Sequence, residues 1–125
     1  MITALLVDDN DKIREALRSM LENYSEISVI GEAADGVTAF HLAMSLRPAV
    51  VLMDFGMARM SGVDATRRIK GPLPDTVIIG LSVHTGRHIE SAMLAAGASA
   101  FLSKDIHPDE LIAAIRDHTE FAARP

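Results

Sequence analysis

The sequence predicts an α/β sandwich, a parallel five-stranded sheet with helices packed on both faces. Three observations carry that prediction. The hydrophobic period switches between strand-like and helical repeatedly along the chain, the connections between the alternating segments are short, and the middle run "AVVLM" at 49–53 is apolar without interruption. Alternating periods call for crossover connections, which produce parallel strands in right-handed units. A strand with no polar face is what a sheet covered on both sides requires.

The elements follow in order. "ITALLV" (2–7) reads as a strand. "DKIREALRSMLENY" (11–24) reads as a helix, because Ile13, Ala16, Leu17, Met20 and Leu21 fall at helical spacing while Arg14, Glu15, Arg18 and Glu22 face away. "ISVIGEA" (27–33) is the second strand, and "GVTAFHLAMSLR" (36–47) the second helix, stopped by Pro48. After "AVVLM", "GVDATRRIK" (62–70) makes a third helix, broken by Gly71, Pro72 and Pro74. "TVIIGLS" (76–82) is the fourth strand and "GRHIESAMLAAG" (86–97) the fourth helix, ended by its glycine. "SAFLS" (99–103) is a short fifth strand, and "PDELIAAIRDHTEF" (108–121) a last helix that opens with proline and acids in its first turn. Residues 1–121 form one domain, and "AARP" (122–125) reads as a tail or the start of a missing linker. Met20, Met44, Met53 and Met93 read as gap-filling core.

At 125 residues, 49% of them apolar, the chain is long enough to bury a core without staples. It has no cysteine, so neither a disulfide framework nor a thiolate metal site is available, in keeping with a reducing cytoplasm. The N-terminal apolar run is too short for a signal peptide, and no stretch has membrane-spanning length, so a soluble cytoplasmic protein is expected. The formal net charge of −5 argues against a grip on nucleic acid by this chain alone; a DNA-directed role needs an additional domain. His41, His84, His88, His107 and His118 lack the spacing of a shared metal site and read as surface residues.

In open parallel sheets the binding crevice lies beyond the carboxyl ends of the strands, where strand order reverses. With the order 2-1-3-4-5, those ends bring Asp8 and Asp9 from "DDND" next to Asp54, with Ser82 and Lys104 on the same rim. Two carboxylates about 5 Å apart repel by roughly 3 kcal/mol at an effective dielectric near 20, so three require open water, a proton or a cation. Oxygen-only ligands at an open rim suit a hard divalent ion, magnesium above all. Opposite it, across a small gap, Lys104 completes a setting that stabilises the oxygens of a transferring phosphoryl group, to which Ser82 can donate a hydrogen bond. Asp54 then becomes a candidate nucleophile, forming an acyl phosphate. Taken singly, each residue has a plainer reading: Asp54 as a turn former, Asp8 and Asp9 as helix caps, Lys104 as a solvated lysine, Ser82 as a strand-end hydroxyl. Asn10 and Asp11 are also available for capping, and that excess together with convergence on one rim favours chemistry.

Over essentially its whole length the chain resembles a response-regulator receiver domain of two-component signalling. The stretches that carry the resemblance are "LLVDDND", "VVLMDFGMARMSGVDATRRI", "VIIGLSVH" and "GASAFLSKD", whose order and spacing are specific together. It implies a flavodoxin-like (βα)5 three-layer sandwich. It also implies that Asp54 is the phosphoryl-accepting aspartate, Asp9 a direct Mg2+ ligand, Asp8 a ligand through water, and the Gly56 backbone carbonyl the remaining ligand. Ser82 fills the hydroxyl position, Lys104 the lysine position and Phe101 the aromatic switch position, although an aromatic in "SAFLS" is also ordinary core. The implied donor is a phosphohistidine of a sensor histidine kinase, and the reaction is self-modification rather than enzymatic turnover. Phosphorylation then remodels the face of helix four, strand five and helix five, a two-state element biased by charge. That face is the expected homodimer surface, with helix-one contacts as the alternative.

The chain departs from the family pattern at two places. Ala58 stands where proline often does, which removes a fixed φ from the loop after Asp54. Asp105 follows Lys104 where a proline is common, and the "SKD…PDEL" form is similar to the subclass found before helix-turn-helix DNA-binding domains. Gly56 and His84 occupy positions that tune phosphoryl lifetime in the family. A haloacid-dehalogenase-type phosphatase needs a second acid two residues after the nucleophile, where Gly56 stands. A flavin-binding module needs a phosphate loop after the first strand, where "DDND" would repel the phosphate. A degenerate receiver that merely docks partners is disfavoured by the complete acid, hydroxyl and lysine set.

Overall fold

The computed structural model describes residues 1–57, 59–83 and 86–123, the last four of these by backbone alone. Ala58, His84 and residues 124–125 of the tail lie outside the described residues. Strands β1 (Ile2–Val7), β2 (Ile27–Ala33), β3 (Val50–Asp54), β4 (Val77–Ser82) and β5 (Ala100–Ser103) alternate with helices α1 (Asp11–Leu21), α2 (Gly36–Leu46), α3 (Gly62–Lys70), α4 (Arg87–Ala96) and α5 (Pro108–Ala123). The strands form one parallel sheet in the order β2-β1-β3-β4-β5, as the sequence predicts.

The core divides at the sheet. On one face Val7, Val51, Met53 and Ile78 pack with Ala39, Ala43, Ala65, Ile69 and Met93. On the other, Leu6, Leu52, Ile79 and Leu81 pack with Leu21, Leu111, Ile112 and Ile115. Every residue of β3 is buried, which explains why "VVLM" carries no polar alternation. Each fully buried leucine or isoleucine here contributes roughly 1.5–3 kcal/mol relative to exposure.

Helix starts are set by short polar side chains. Asn10, Asp35 and Ser61 accept from the backbone amides of Ile13, Thr38 and Asp64 and so begin α1, α2 and α3. At the other end of α4, Gly97 adopts φ 119°, a left-handed conformation that a side chain would strain. Helix α1 is shorter than its periodicity predicts: it ends at Leu21, and Asn23 and Tyr24 turn away through bonds to the Met20 and Leu21 carbonyls. Tyr24 instead reaches α5, its hydroxyl donating to Asp109 at 3.1 Å.

Two of the α1 residues expected to face solvent are engaged by β2 instead, and one of them is largely covered. The Arg14 side chain is 15% exposed, and Arg18 pairs with Glu32 of β2 at 2.6 Å. The edge strand β2 carries an acid, Glu32, that draws both guanidiniums toward it, against the helical period.

Candidate functional site

The carboxyl ends of β1, β3, β4 and β5 open into one cavity of about 460 Å3, lined by Asp8, Asp9, Asp54, Gly56, Ser82 and Lys104 together with neighbouring loop residues. The five residues expected at the rim are therefore brought together, with Gly56, the ligand that the resemblance implies, beside them. Oxygen atoms of Asp8, Asp9 and Asp54 lie within 4.8 Å of one another. Asp8 and Asp54 are buried while Asp9 is exposed, so the cluster is dry at its base and wet at its mouth.

Local structure fixes each group. Hydrogen bonds from the Asp8 amide to Ala33 and from the Phe55 amide to Leu81 prolong the β1–β2 and β3–β4 pairings by one residue past the strands' ends. The Asn10 side chain caps α1, which leaves Asp8 and Asp9 out of the capping role, and the Asn10 amide donates to one Asp8 carboxylate oxygen at 2.9 Å. Lys104 is held by its own amide, which donates to the Ser82 carbonyl at 2.9 Å. In place of a proline after it, the Asp105 amide donates to the Ser103 hydroxyl at 3.1 Å and closes the turn.

Lys104 reaches the acids directly. Its ammonium bridges two of them, 2.7 Å from Asp8 and 3.0 Å from Asp54. Two buried carboxylates this close draw in the nearest cation. Three carboxylates and one ammonium leave two net negative charges, the deficit that one divalent ion matches. Burial raises the Asp54 pKa, as do the charges of Asp8 and Asp9, and Lys104 offsets this only in part. Burial alone would depress the Lys104 ammonium, but its bonds to Asp8 and Asp54 outweigh that and carry it upward. The donor set, oxygen-only and still short of positive charge, fits Mg2+, with Asp8, Asp9, Asp54 and the Gly56 carbonyl available to hold it.

Three contributors escape the sequence reading. The Arg14 guanidinium donates to the Asp8 carbonyl at 2.6 Å, to Asp11 at 2.7 Å and to Glu32 at 3.0 Å, tying the acidic loop to α1 and β2. A helical wheel places Arg14 outside, and only the acid on the neighbouring strand could have signalled otherwise. Gly62 starts α3 directly under the acceptor strand: a Cβ there would lie 2.1 Å from the Asp54 carbonyl oxygen. Gly36 does the same for the loop after β3, since a Cβ would lie 2.4 Å from the Met60 carbonyl oxygen. These glycines stand at helix starts, where they read simply as breaks.

Phe101 is not in the cavity. It is half-buried on β5, packed against the core face that includes Met93.

Comparison with known proteins agrees with this geometry. The family model described as "Response regulator receiver domain" matches residues 4–116. Response regulator UvrY of Escherichia coli is 40% identical over 116 residues, covering 93% of this chain and 53% of UvrY. The transcriptional regulatory protein LiaR of Bacillus subtilis is also 40% identical over 116 residues, 93% of this chain and 55% of LiaR. A two-component response regulator of the LuxR family from Aurantimonas sp. superposes with TM-score 0.92 at 30% identity, over 97% of this chain and 86% of that one. The chain thus spans about half the length of the curated relatives it matches.

Proposed function

This chain belongs to the response regulator receiver domain family, and on that footing we propose that Asp54 accepts a phosphoryl group from a phosphohistidine of a sensor histidine kinase. The observation that carries the assignment is the buried Asp54 carboxylate, held at the floor of an acid cluster by one ammonium. An Asp54 oxygen attacks phosphorus, the phosphorus–nitrogen bond breaks, and its electron pair returns to the donor imidazole. The product is an acyl phosphate on Asp54.

Asp9, Asp8, Asp54 and the Gly56 carbonyl are the residues to hold Mg2+, which when bound supplies charge neutralisation to the phosphoryl oxygens. Lys104 already touches the acceptor carboxylate and is placed to follow the charge onto the phosphoryl oxygens. Ser82 lines the same cavity and supplies a hydroxyl to that group. Through Ser82 and Phe101 the modification biases the face formed by α4, β5 and α5. The chain modifies itself rather than turning over a metabolite.

The output we propose is transcriptional, exerted on DNA through a further domain, because LiaR is named a transcriptional regulatory protein and extends well beyond the matched region. No described helix is long and apolar enough to cross a membrane. The α4-β5-α5 face is the proposed homodimer surface. Its alternative lies along α1, where Ile13, Leu17 and Met20 line an apolar groove of about 340 Å3 shared with Ile106 and Leu111.

Incubation with a small phosphodonor and Mg2+, followed by intact-mass measurement, tests the proposal. The expected result is a gain of one phosphoryl group that requires the metal and is absent in Asp54→Ala. Equal labelling of Asp54→Ala, or labelling indifferent to chelator, contradicts it.

A further inference from the structure

A glycine in the middle of a buried strand is costly, since it surrenders side-chain packing and backbone entropy, and it often marks a place where another group must approach. Gly80 is such a residue, buried in β4 and directly opposite Phe101 of β5 in the register of the sheet. A Cβ at Gly80 would lie 2.8 Å from Met93 Cε and 2.9 Å from Phe101 Cδ1. The ring and the thioether methyl therefore share the hollow that the missing side chain leaves. An aromatic ring folded over a cross-strand glycine covers backbone that nothing else would cover. Phe101 also borders a cavity of about 320 Å3, lined with Gly86, Arg87, Glu90 and Ser103. The ring thus has a seat at Gly80 and open room beside it. Ser82, two residues along β4 from Gly80, points to the same face of the sheet and lines the acidic cavity.

We propose that Gly80 is a positioning residue: its hollow, walled by Met93, is the seat that holds Phe101 inward and so sets how far the ring moves when Asp54 is modified. The proposal rests on the receiver reading of Phe101. The atoms that would meet a new methyl at position 80 are a flexible methionine terminus and a rotatable ring, not backbone, so Gly80→Ala is accommodated by displacing them. The fold survives and the ring pays.

The test uses the full chain labelled with 4-fluorophenylalanine, the Phe101 line being assigned by its loss in Phe101→Leu. Spectra are taken with and without Mg2+ and beryllofluoride, whose own fluorine lines report its binding. In the wild type the Phe101 line moves on binding. In Gly80→Ala it is displaced before any addition and its response falls to less than half, while the beryllofluoride lines remain. Gly80→Ala combined with Met93→Ala, which reopens the hollow, returns both the resting line and the response toward wild type. A Gly80→Ala spectrum identical to wild type overturns the seat, and so does a lost response that Met93→Ala fails to restore. Absence of beryllofluoride lines in the wild type would instead sink the receiver reading, leaving the resting displacement to judge the seat alone.

Discussion

At Asp54 function and stability oppose each other. Its pKa is raised, so the folded state binds the proton more tightly than the unfolded chain does. The fold is therefore penalised as pH rises through the carboxylate range, and relieved in acid once the group is protonated in both states. Asp54→Asn is expected to raise the melting temperature in chelator at pH 7 by a few degrees, with the difference vanishing below the ordinary carboxylate pKa; an unchanged or lowered value speaks against the penalty. Lys104→Ala removes a cation that competes for the same oxygens, so Mg2+ affinity measured by calorimetry should hold or rise while the beryllofluoride response of Phe101 weakens. Arg14→Met loosens the Asp8 carbonyl and leaves Glu32 to Arg18 alone. Mg2+ affinity should fall about tenfold. Of these residues the acids, Ser82 and Lys104 are legible in the sequence because each sits at a strand end where period and turn signals coincide. Arg14 is not, because its partner Glu32 belongs to a strand 18 positions away and no local pattern names it.

The elements themselves are read well where burial is one-sided or complete, as in β3 and α3, and less well where a terminus is decided by a distant contact. Helix α1 stops early because Tyr24 is drawn to Asp109 and Glu26 to Arg116 on α5, neither of which the helical period anticipates. Element junctions carry the site's geometry, and the tightest is the start of α3. Gly62→Ala drives a methyl into the Asp54 carbonyl, where no side chain can yield, and should lower stability by about 1–3 kcal/mol or more in urea titration. The cap of α2 has a pH signature instead. Asp35 is held below the usual carboxylate range chiefly by the Thr38 amide, with Arg59 assisting. Its contribution is full above the unfolded pKa and fades as pH falls through the depressed folded value, so the urea midpoints of wild type and Asp35→Ala should converge in acid.

For the molecule as a whole, the charge left over after Lys104 has paired makes the fold and the ion interdependent. An ion that binds only the folded state stabilises it by about 2.7 kcal/mol at a concentration one hundred times its dissociation constant. Asp9 is exposed at the mouth of the acid cluster, so Asp9→Asn should leave the chelator melting point nearly unchanged and abolish its rise with Mg2+. Strand order was accessible from alternating periods and crossover handedness, and once it is given the convergence on one rim follows. The partner surfaces were not, because they depend on which apolar positions the finished fold leaves uncovered. The chemistry at the rim is tested most directly by phosphorylating the chain, reducing it with borohydride and locating the product by peptide sequencing. An acyl phosphate on Asp54 yields homoserine at position 54 alone; homoserine at position 8 or 9, or phosphate that survives reduction on a hydroxyl or imidazole, contradicts the assignment.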